Sequence, residues 1–469
     1  MKPFRSNDVY SATLPLYYVS RLLGLASYRY KTHTSTNPVG PIRNRNNTDT
    51  CGVEKELQTS KCAVAYTGVL LVALLIWLVY SLVWKILYDF PDMKVTYAVT
   101  NIMTLCLSAA TTAVSLGLEL MSNKKRLKKI MLKLNQVDKI LMPDTNRVHK
   151  KISSLVLLEL VVFVFLLLAR HGYELWGRGG NEYISVIIRL VIHFMSTVMI
   201  IQFVTFTHML KQRFRCVNRQ LSLLGDIDDR GISLGIVKVE FTHRQLGVTA
   251  AQNTVLVQNA DGIPSSNSLE EASTATSIFQ SEAEIGHLSS LSSSSKFKSR
   301  SRPQDVANIH NLRGVHTILY DIGDLVNSVY GLQLLLAVAY IFTSVVKYFH
   351  MVMIYNVRAQ PEQLSNFRVD GILPLMCIVS IHIANVLWVT ASCDSACCEA
   401  VRTTTVVNKL LLIQTLPPDV SAELERFSQQ LLHSKLQFTT FGFFSLDFTF
   451  LYGFVGGATT YIVILLQFQ

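Results

Sequence analysis

The stretch that decides the fold is the last apolar block of the chain, FFSLDFTFLYGFVGGATTYIVILLQF from Phe443 to Phe468, which contains a single charged residue, Asp447. At a rise of 1.5 Å per residue, about 20 apolar residues cross a hydrocarbon core of ~30 Å. The block therefore predicts a membrane-spanning helix. Together with six earlier blocks it gives seven predicted spans: Ala63–Val83, Val95–Met121, Ile152–Ala169, Ile184–His208, Val326–Tyr355, Gly371–Ser392 and Phe443–Phe468.

The composition of the whole chain agrees with this pattern. Of its 469 residues, 50% are hydrophobic and only 16% are charged, whereas soluble domains carry about 25% charged residues. A soluble enzyme, a disulfide scaffold and a disordered protein all fit poorly. The sequence predicts an all-α polytopic membrane protein.

The basic residues in the connections between the spans predict the orientation. The N-terminal segment and the even-numbered connections hold 34 Lys and Arg residues, whereas the opposite side holds 6. Because Lys and Arg are enriched in cytosolic loops, the N-terminus is expected in the cytosol and the C-terminus outside. G-protein-coupled receptors have the opposite orientation, which argues against that class.

These spans divide the chain into six predicted segments. The longest connection is rich in serine and low in hydrophobic residues, which predicts disorder. The segments are a cytosolic N-terminal part (1–62), spans one to four with a basic cytosolic loop (63–224), the Ser-rich cytosolic loop (225–310), spans five and six (311–392), cytosolic anchor helices (393–442) and the last span (443–469).

Motifs for catalysis and cofactor binding do not occur in the sequence. It contains no Walker A loop, nucleophile elbow, HExxH or Rossmann fingerprint, so we expect neither an enzyme nor a cofactor. The cluster from Cys393 to Cys398 lacks a second Cys or His pair, and no metal site is expected. Membrane lipid at the cytosolic surface accounts for the net charge of +11. No nucleic-acid partner is predicted.

The last span has the pattern of a pore-lining helix. Thr460, Val463, Ile464 and Gln467 are separated by three or four residues, so they share one helical face. An apolar ring of Ile464 side chains around an axis would dewet when narrow, which is a known gating device. Small residues upstream favour close helix packing, and packing alone explains the pattern equally well.

The end of this span also resembles a known family. Thr460-Tyr461, five aliphatic residues and then Gln467-Phe468 match the C-terminal signature of the insect gustatory receptors, which are related to the insect odorant receptors. The preceding Gly442–Asp447 stretch is similar to the family's approach to this helix. The resemblance is sharp over about residues 420–469 and topological elsewhere.

The resemblance implies a tastant-gated, non-selective cation channel in the plasma membrane of sensory neurons, passing Na⁺, K⁺ and Ca²⁺. The family assembles as tetramers, here either of identical subunits or with related receptors, and the last helix of each subunit lines a central pore. By the same resemblance, Ile464 is the hydrophobic gate and Gln467 the polar residue beside it. Each subunit is implied to hold its own ligand pocket in the outer half of its helices.

Polar and aromatic residues in the outer halves of the spans are the candidates for this pocket. Ionisable residues at membrane depth usually face a cavity or a partner, although each could equally be an interfacial or inter-helix contact. The candidates are Tyr97, Asn101, Arg170, His171, Trp176, Arg189, His193, Tyr340, Thr343, Lys347, His382, Asn385 and Trp388. Arg and Trp suit a small polar ligand such as a sugar.

Several alternatives stay open at this stage. A bitter compound, a nucleoside or temperature could replace the sugar as stimulus within the same family. A metabotropic seven-helix receptor would signal through the Ser-rich loop, but the charge bias argues against it. A secondary transporter would show internal repeats and broken helices, which the sequence lacks.

Overall fold

The computed structural model describes residues 9–34, 53–89, 95–141, 146–177, 183–225, 302–358, 373–414 and 416–467. Within these residues, seven helices are long and apolar enough to cross a membrane. They fall on the seven predicted spans, and the structure is mostly helical. The protein is therefore a multi-pass membrane protein.

Several helices extend well beyond the ends of the predicted spans. Polar residues with good helix propensity continue the helix there. The long helices are α3 (Lys61–Trp84), α4 (Val95–Leu118), α5 (Lys124–Leu141), α6 (Asn146–Gly177), α7 (Tyr183–Leu224), α8 (Arg302–Arg358), α9 (Leu373–Leu411), α10 (Pro418–His433) and α11 (Phe448–Gln467); two short ones, α1 (Val9–Ala12) and α2 (Leu14–Leu22), precede them. A π-helical turn, Glu119–Asn123, joins α4 to α5 without a break. A second π-helical turn, Lys85–Asp89, extends α3.

The expectation of an all-α chain needs one correction. Strand β1 (Tyr28–Thr34) pairs antiparallel with β2 (Val53–Thr59), in a register that aligns Tyr28 with Thr59 and Thr34 with Val53. Both strands are short and lie in the basic N-terminal segment, so their weak alternation was hidden beside the long apolar blocks. Backbone pairing satisfies the main-chain groups of this hairpin.

The predicted Ser-rich loop also needs a correction at its end. Residues 226–301 lie outside the described residues, and the predicted disorder is not tested there. Residues 302–310, assigned to the loop from sequence, form the first turns of α8. Pro303 at the start of the helix and Asp305 in its first turn are favourable at a helix N-terminus, and both were overlooked because the segment is polar.

The chain forms two compact units. The first comprises Met1–Phe214, Val315–Cys398 and Lys435–Gln469, and the second comprises Arg215–Gly314 and Glu399–Ser434. In the second unit, the buried Glu423 of α10 accepts contacts from Arg313 Nε at 3.1 Å and Arg426 Nη1 at 3.2 Å. In the second unit, the carboxylate of Glu423 is therefore paired with two arginines.

A tight turn leads into α11. The Leu446 amide donates to the Phe438 carbonyl over 2.9 Å, and the turn places Phe441 at φ 51° and Gly442 at φ 81°. Glycine tolerates this left-handed backbone without strain. The backbone of the turn rests on Gly331 of α8, where an added Cβ would lie 3.1 Å from the Phe441 amide nitrogen.

Asp447 caps α11 immediately before the membrane helix begins. Its Oδ1 accepts hydrogen bonds from the Thr449 amide at 2.9 Å and the Phe450 amide at 3.2 Å, and its Oδ2 accepts from the Ser445 hydroxyl at 2.9 Å. Burial alone would raise the pKa of Asp447, but these hydrogen bonds to the carboxylate outweigh it and lower the pKa. The cap therefore stays charged at neutral pH and fixes where α11 starts.

Candidate functional site

Helix α11 has one face covered by its own chain and one face that is not. Phe454 and Ala458 are buried, and only 11% of the apolar stretch of this helix is buried, against 61% for α8. On the opposite face, Tyr452 is 81% exposed and Val455 is 62% exposed. A single subunit therefore leaves one whole side of its last helix open.

The predicted pore residues lie on this uncovered side. Thr460, Val463, Ile464 and Gln467 are all exposed, with Ile464 at 38% and Val463 at 48%. The Thr460 hydroxyl donates to the Gly456 carbonyl over 2.9 Å, one turn earlier on the same helix. Phe468, the last residue of the sequence motif, lies outside the described residues.

The covered face of α11 packs on α8. The ring of Phe342 meets Phe454 edge-on with centroids 5.5 Å apart, and it meets Tyr461 in the same way at 5.8 Å. Gly457 leaves room for this ring, because an added Cβ would lie 3.4 Å from it. Sequence reasoning missed Phe342, since an aromatic residue inside an apolar span carries no signal of its own.

Six polar and aromatic side chains form a continuous chain across four helices, which we call the polar chain. It begins on α4, where the Asn101 Oδ1 accepts from Lys347 Nζ on α8 over 2.9 Å. The ammonium lies 5.3 Å from the centre of the neighbouring Tyr348 ring, within the range of a cation–π contact. The Tyr348 ring in turn stacks on His382 of α9, with centroids 6.4 Å apart.

The polar chain continues from α9 to α7 through Tyr340. The His382 ring meets the Tyr340 ring edge-on at 5.4 Å, and the Tyr340 hydroxyl is 2.9 Å from Nδ1 of His193. Lys347, Tyr340 and His382 are at most 8% exposed. The structure thus brings five of the predicted pocket candidates, Asn101, His193, Tyr340, Lys347 and His382, into one cluster and adds Tyr348.

The remaining candidates are placed less centrally. Thr343 bonds the carbonyls of its own helix, at Ala339 and Tyr340, Trp388 stacks on Phe163 at 5.4 Å, and Arg189 is half-buried on α7. Asn385 is buried one turn after His382. For Tyr97, Arg170, His171 and Trp176 the helix backbone is described but the side chains lie outside the described part of the structure.

Asn385 also lines a small apolar cavity between α7, α8, α9 and the start of α11. Its walls include Ile200, Ala337, Thr390 and Phe450, and its size suits about one water molecule. Among the described residues, no group of three or more His, Cys, Asp or Glu side chains is arranged to hold a metal ion. The part of the chain that the structure describes is therefore closely packed around the polar chain.

A direct contact links α8 to the end of the pore helix. His350 of α8 is buried and hydrogen-bonds to the backbone of Leu465 on α11. Leu465 is the residue after Ile464. Helix α8 therefore contributes Tyr340, Lys347 and Tyr348 to the polar chain. The same helix contacts α11 through Phe342 and His350.

The sequence matches the family described as 7tm Chemosensory receptor over residues 13–247 and 279–469. The chain belongs to this family, which includes the insect gustatory and odorant receptors. The resemblance recognised in the C-terminal motif is thereby confirmed.

Relatives and solved structures agree with the family. The chain is similar to Drosophila melanogaster proteins named as gustatory receptor 28a (30% identical, covering 35% of both chains) and gustatory receptor 2a (28% identical, covering 34% of this chain and 40% of that one). It thus spans little more than a third of the relatives it matches. The fold is similar to that of the olfactory receptor OR5 from Machilis hrabei, at a TM-score of 0.55 and 10% identity over 97% of this chain and 98% of that one.

Proposed function

We propose that the protein is a gustatory receptor that acts as a tastant-gated, non-selective cation channel. Four subunits surround a central pore lined by α11, and each subunit holds one small-molecule tastant. The N-terminus faces the cytosol and the C-terminus the outside of the plasma membrane of sensory neurons. The observation that carries the proposal is the uncovered face of α11, on which Thr460, Val463, Ile464 and Gln467 are exposed.

The pore assignment rests on the chemistry of that face. Lipid alone would favour a uniformly apolar surface, but this one places the Thr460 hydroxyl and the Gln467 amide on either side of Val463 and Ile464. Four copies around an axis would create an apolar ring at Ile464 between two polar rings. Such a ring blocks ions when narrow and passes hydrated cations when it widens.

The ligand assignment rests on the polar chain. Aromatic rings and a few placed hydrogen-bonding groups are the usual lining of a site for a small polar molecule. The polar chain offers Tyr340, Tyr348, His193, His382, Lys347 and Asn101 within one connected cluster. A small polar tastant such as a sugar would bind by opening this cluster and taking over part of its hydrogen bonds.

A neighbouring solved structure supports a small-molecule ligand. The Machilis hrabei olfactory receptor OR5 is also known in complex with eugenol, and that structure matches this chain at a TM-score of 0.54 with 12% identity. The similarity concerns the fold, so the chemistry of the tastant is argued from the residues of this chain alone.

Helix α8 provides the route from ligand to gate. Any shift of Tyr340, Lys347 or Tyr348 moves the same rigid helix that carries Phe342 and His350. These two residues contact α11 on both sides of the Thr460–Ile464 region. A ligand that binds better when α8 is displaced would therefore favour the displaced position of α11 as well.

The test is a whole-cell recording from cells that express this chain alone, under a panel of sugars, nucleosides and bitter compounds. We expect one of them to evoke an inward current that reverses near 0 mV, as a non-selective cation pore requires. Silence to the panel, with surface expression confirmed, would contradict a self-sufficient channel opened by such tastants. An N-terminal epitope accessible on intact cells would favour the metabotropic alternative.

A further inference from the structure

The first turns of α5 carry an unusual density of positive charge. The helix reads KKRLKKIMLKLNQVDKIL, and its single acidic residue is Asp138. That residue is buried and paired with Arg213. On α5 itself, the exposed Lys125 and Lys129 therefore have no surface carboxylate beside them.

Contacts inside the subunit fix which way α5 faces. Arg126 donates to the carbonyl and the hydroxyl of Ser328 on α8, at 3.1 and 2.8 Å. Seven residues later, Lys133 pairs with Asp321, also on α8. Leu127, Ile130 and Leu134 are buried. These contacts hold one side of α5 against the bundle.

The opposite side of α5 is exposed and basic. Lys125 and Lys129 are exposed one turn apart, and the same face continues through Leu132 and Gln136 to Lys139. Leu132 is 46% exposed, so apolar surface lies next to the lysines. Positive charge beside exposed apolar surface is the pattern of a protein face that contacts lipid headgroups.

The depth of the first turn of α5 in the membrane follows from the helices that precede it. Helices α3 and α4 run antiparallel and meet at Leu70 and Leu116, which both approach Gly24. The exposed apolar surface of α3 ends near Lys61. Lys124 follows Leu116 by about as many residues as Lys61 precedes Leu70, so the two lysines lie at a similar depth. The basic turn therefore begins where the apolar surface stops.

The length of α4 places the first turn of α5 at the same depth in the membrane. The 24 residues of α4 span about 36 Å, which exceeds a hydrocarbon core of ~30 Å. The residues that follow the π-helical turn therefore lie in the headgroup layer. Lys139 is 14 positions beyond Lys125, which places it about 21 Å further along the helix axis.

We infer that Lys125 and Lys129 of α5 form a binding site for the headgroup of an acidic phospholipid. Exposed Lys61 and half-buried Lys124 border this site at the same level. With the proposed cytosolic orientation, the inner leaflet supplies the lipid, because its surface is negatively charged. The binding itself does not require the protein to be a channel.

The test uses the purified full-length chain in neutral detergent, titrated with dioctanoyl phosphatidylinositol 4,5-bisphosphate and, separately, with dioctanoyl phosphatidylcholine. We expect saturable binding of the anionic lipid only. The double variant Lys125→Gln/Lys129→Gln should bind it about 30-fold more weakly, since each lysine near a lipid surface contributes about fivefold. Lys139→Gln, on the same face but beyond the headgroup layer, should change the affinity less than twofold.

Three results would overturn the inference. The first is equal binding of both lipids by the unmodified protein. The second is an equal loss for Lys139→Gln and the double variant, which would indicate general surface charge. The third is equally tight binding of free inositol 1,4,5-trisphosphate, which would indicate a site for a soluble anion. Because no current is recorded, a negative result here leaves the channel proposal intact. The elution profile of each variant checks its folding.

Discussion

Arg213 of α7 holds Asp138 of α5 through both carboxylate oxygens. Its Nε donates to Oδ1 over 2.8 Å and its Nη2 donates to Oδ2 over 2.7 Å, while Nη1 donates to the Met209 carbonyl over 2.9 Å. The arginine side chain has no exposed surface. A charge in such a position is stable only while its partner is present.

This pair predicts an unequal response to two charge-removing substitutions on α5. Asp138→Asn leaves a buried guanidinium without its anion and should cost about 3–5 kcal/mol of stability. Lys133→Met breaks the more exposed pair with Asp321 and should cost less than about 1 kcal/mol. Thermal unfolding of the detergent-solubilised variants measures both. A loss of stability for Asp138→Asn as small as that for Lys133→Met would show that Arg213 finds another partner.

The close approach of α8 to the turn before α11 predicts opposite signs for two glycine substitutions on α8. Gly314→Ala meets nothing within 4 Å and should stabilise the helix by about 0.5–1 kcal/mol, because it lowers the entropy of the unfolded chain. Gly331→Ala should instead destabilise the protein, because its Cβ would lie 3.1 Å from the Phe441 backbone nitrogen, which cannot move as a side chain can. The comparison is made by thermal unfolding, and equal gains at both positions would refute the contact.

The hydrogen bond between Tyr340 and His193 predicts a specific effect on the tastant. Tyr340→Phe keeps the ring but removes the hydroxyl, so the half-maximal tastant concentration should rise by about fivefold, as one hydrogen bond of ~1 kcal/mol implies. The maximal current should stay unchanged. Thr343→Val is the matched control, because the Thr343 hydroxyl bonds only carbonyls of its own helix. A larger shift for Thr343→Val than for Tyr340→Phe would place the ligand against Thr343 rather than at the Tyr340 hydroxyl.

The contact between His350 and Leu465 predicts a loss of coupling rather than of binding. His350→Leu should reduce the maximal current at saturating tastant severalfold, because α8 would then lose its contact with the backbone of Leu465 near the end of α11. Tyr348→Phe is the control, since it keeps the ring that stacks on His382. Concentration–response curves for both variants separate the two effects. A change only in the half-maximal concentration would place His350 in the pocket instead.

The sequence predicted the seven spans because each one is a long apolar run, a signal that needs no knowledge of distant residues. Asn101, His193, Tyr340, Lys347 and His382 are among the candidates that the sequence placed in an outer-half pocket, because polar side chains at membrane depth usually face a cavity or a partner. Their role in binding a ligand stays a prediction. Their pairings required the structure, since partners such as Asn101 and Lys347 are separated by 246 positions.

Other features had no usable sequence signal. The β1–β2 hairpin is built from two short polar strands, which lack the apolar alternation that marks a half-buried strand. Phe342 and Leu465 belong to apolar spans in which lipid contact, core packing and helix coupling favour the same residue types.

The most direct test of the central claim is the current carried by an Ile464→Ala channel. If α11 lines the pore and Ile464 forms its apolar constriction, the smaller side chain should raise the current in the absence of tastant several-fold. Leu465→Ala is the matched control, because Leu465 is the next residue along the helix but is half-buried, and its basal current should stay near that of the unmodified protein. Unchanged basal and evoked currents for Ile464→Ala, with normal surface expression, would contradict a pore gated at this residue.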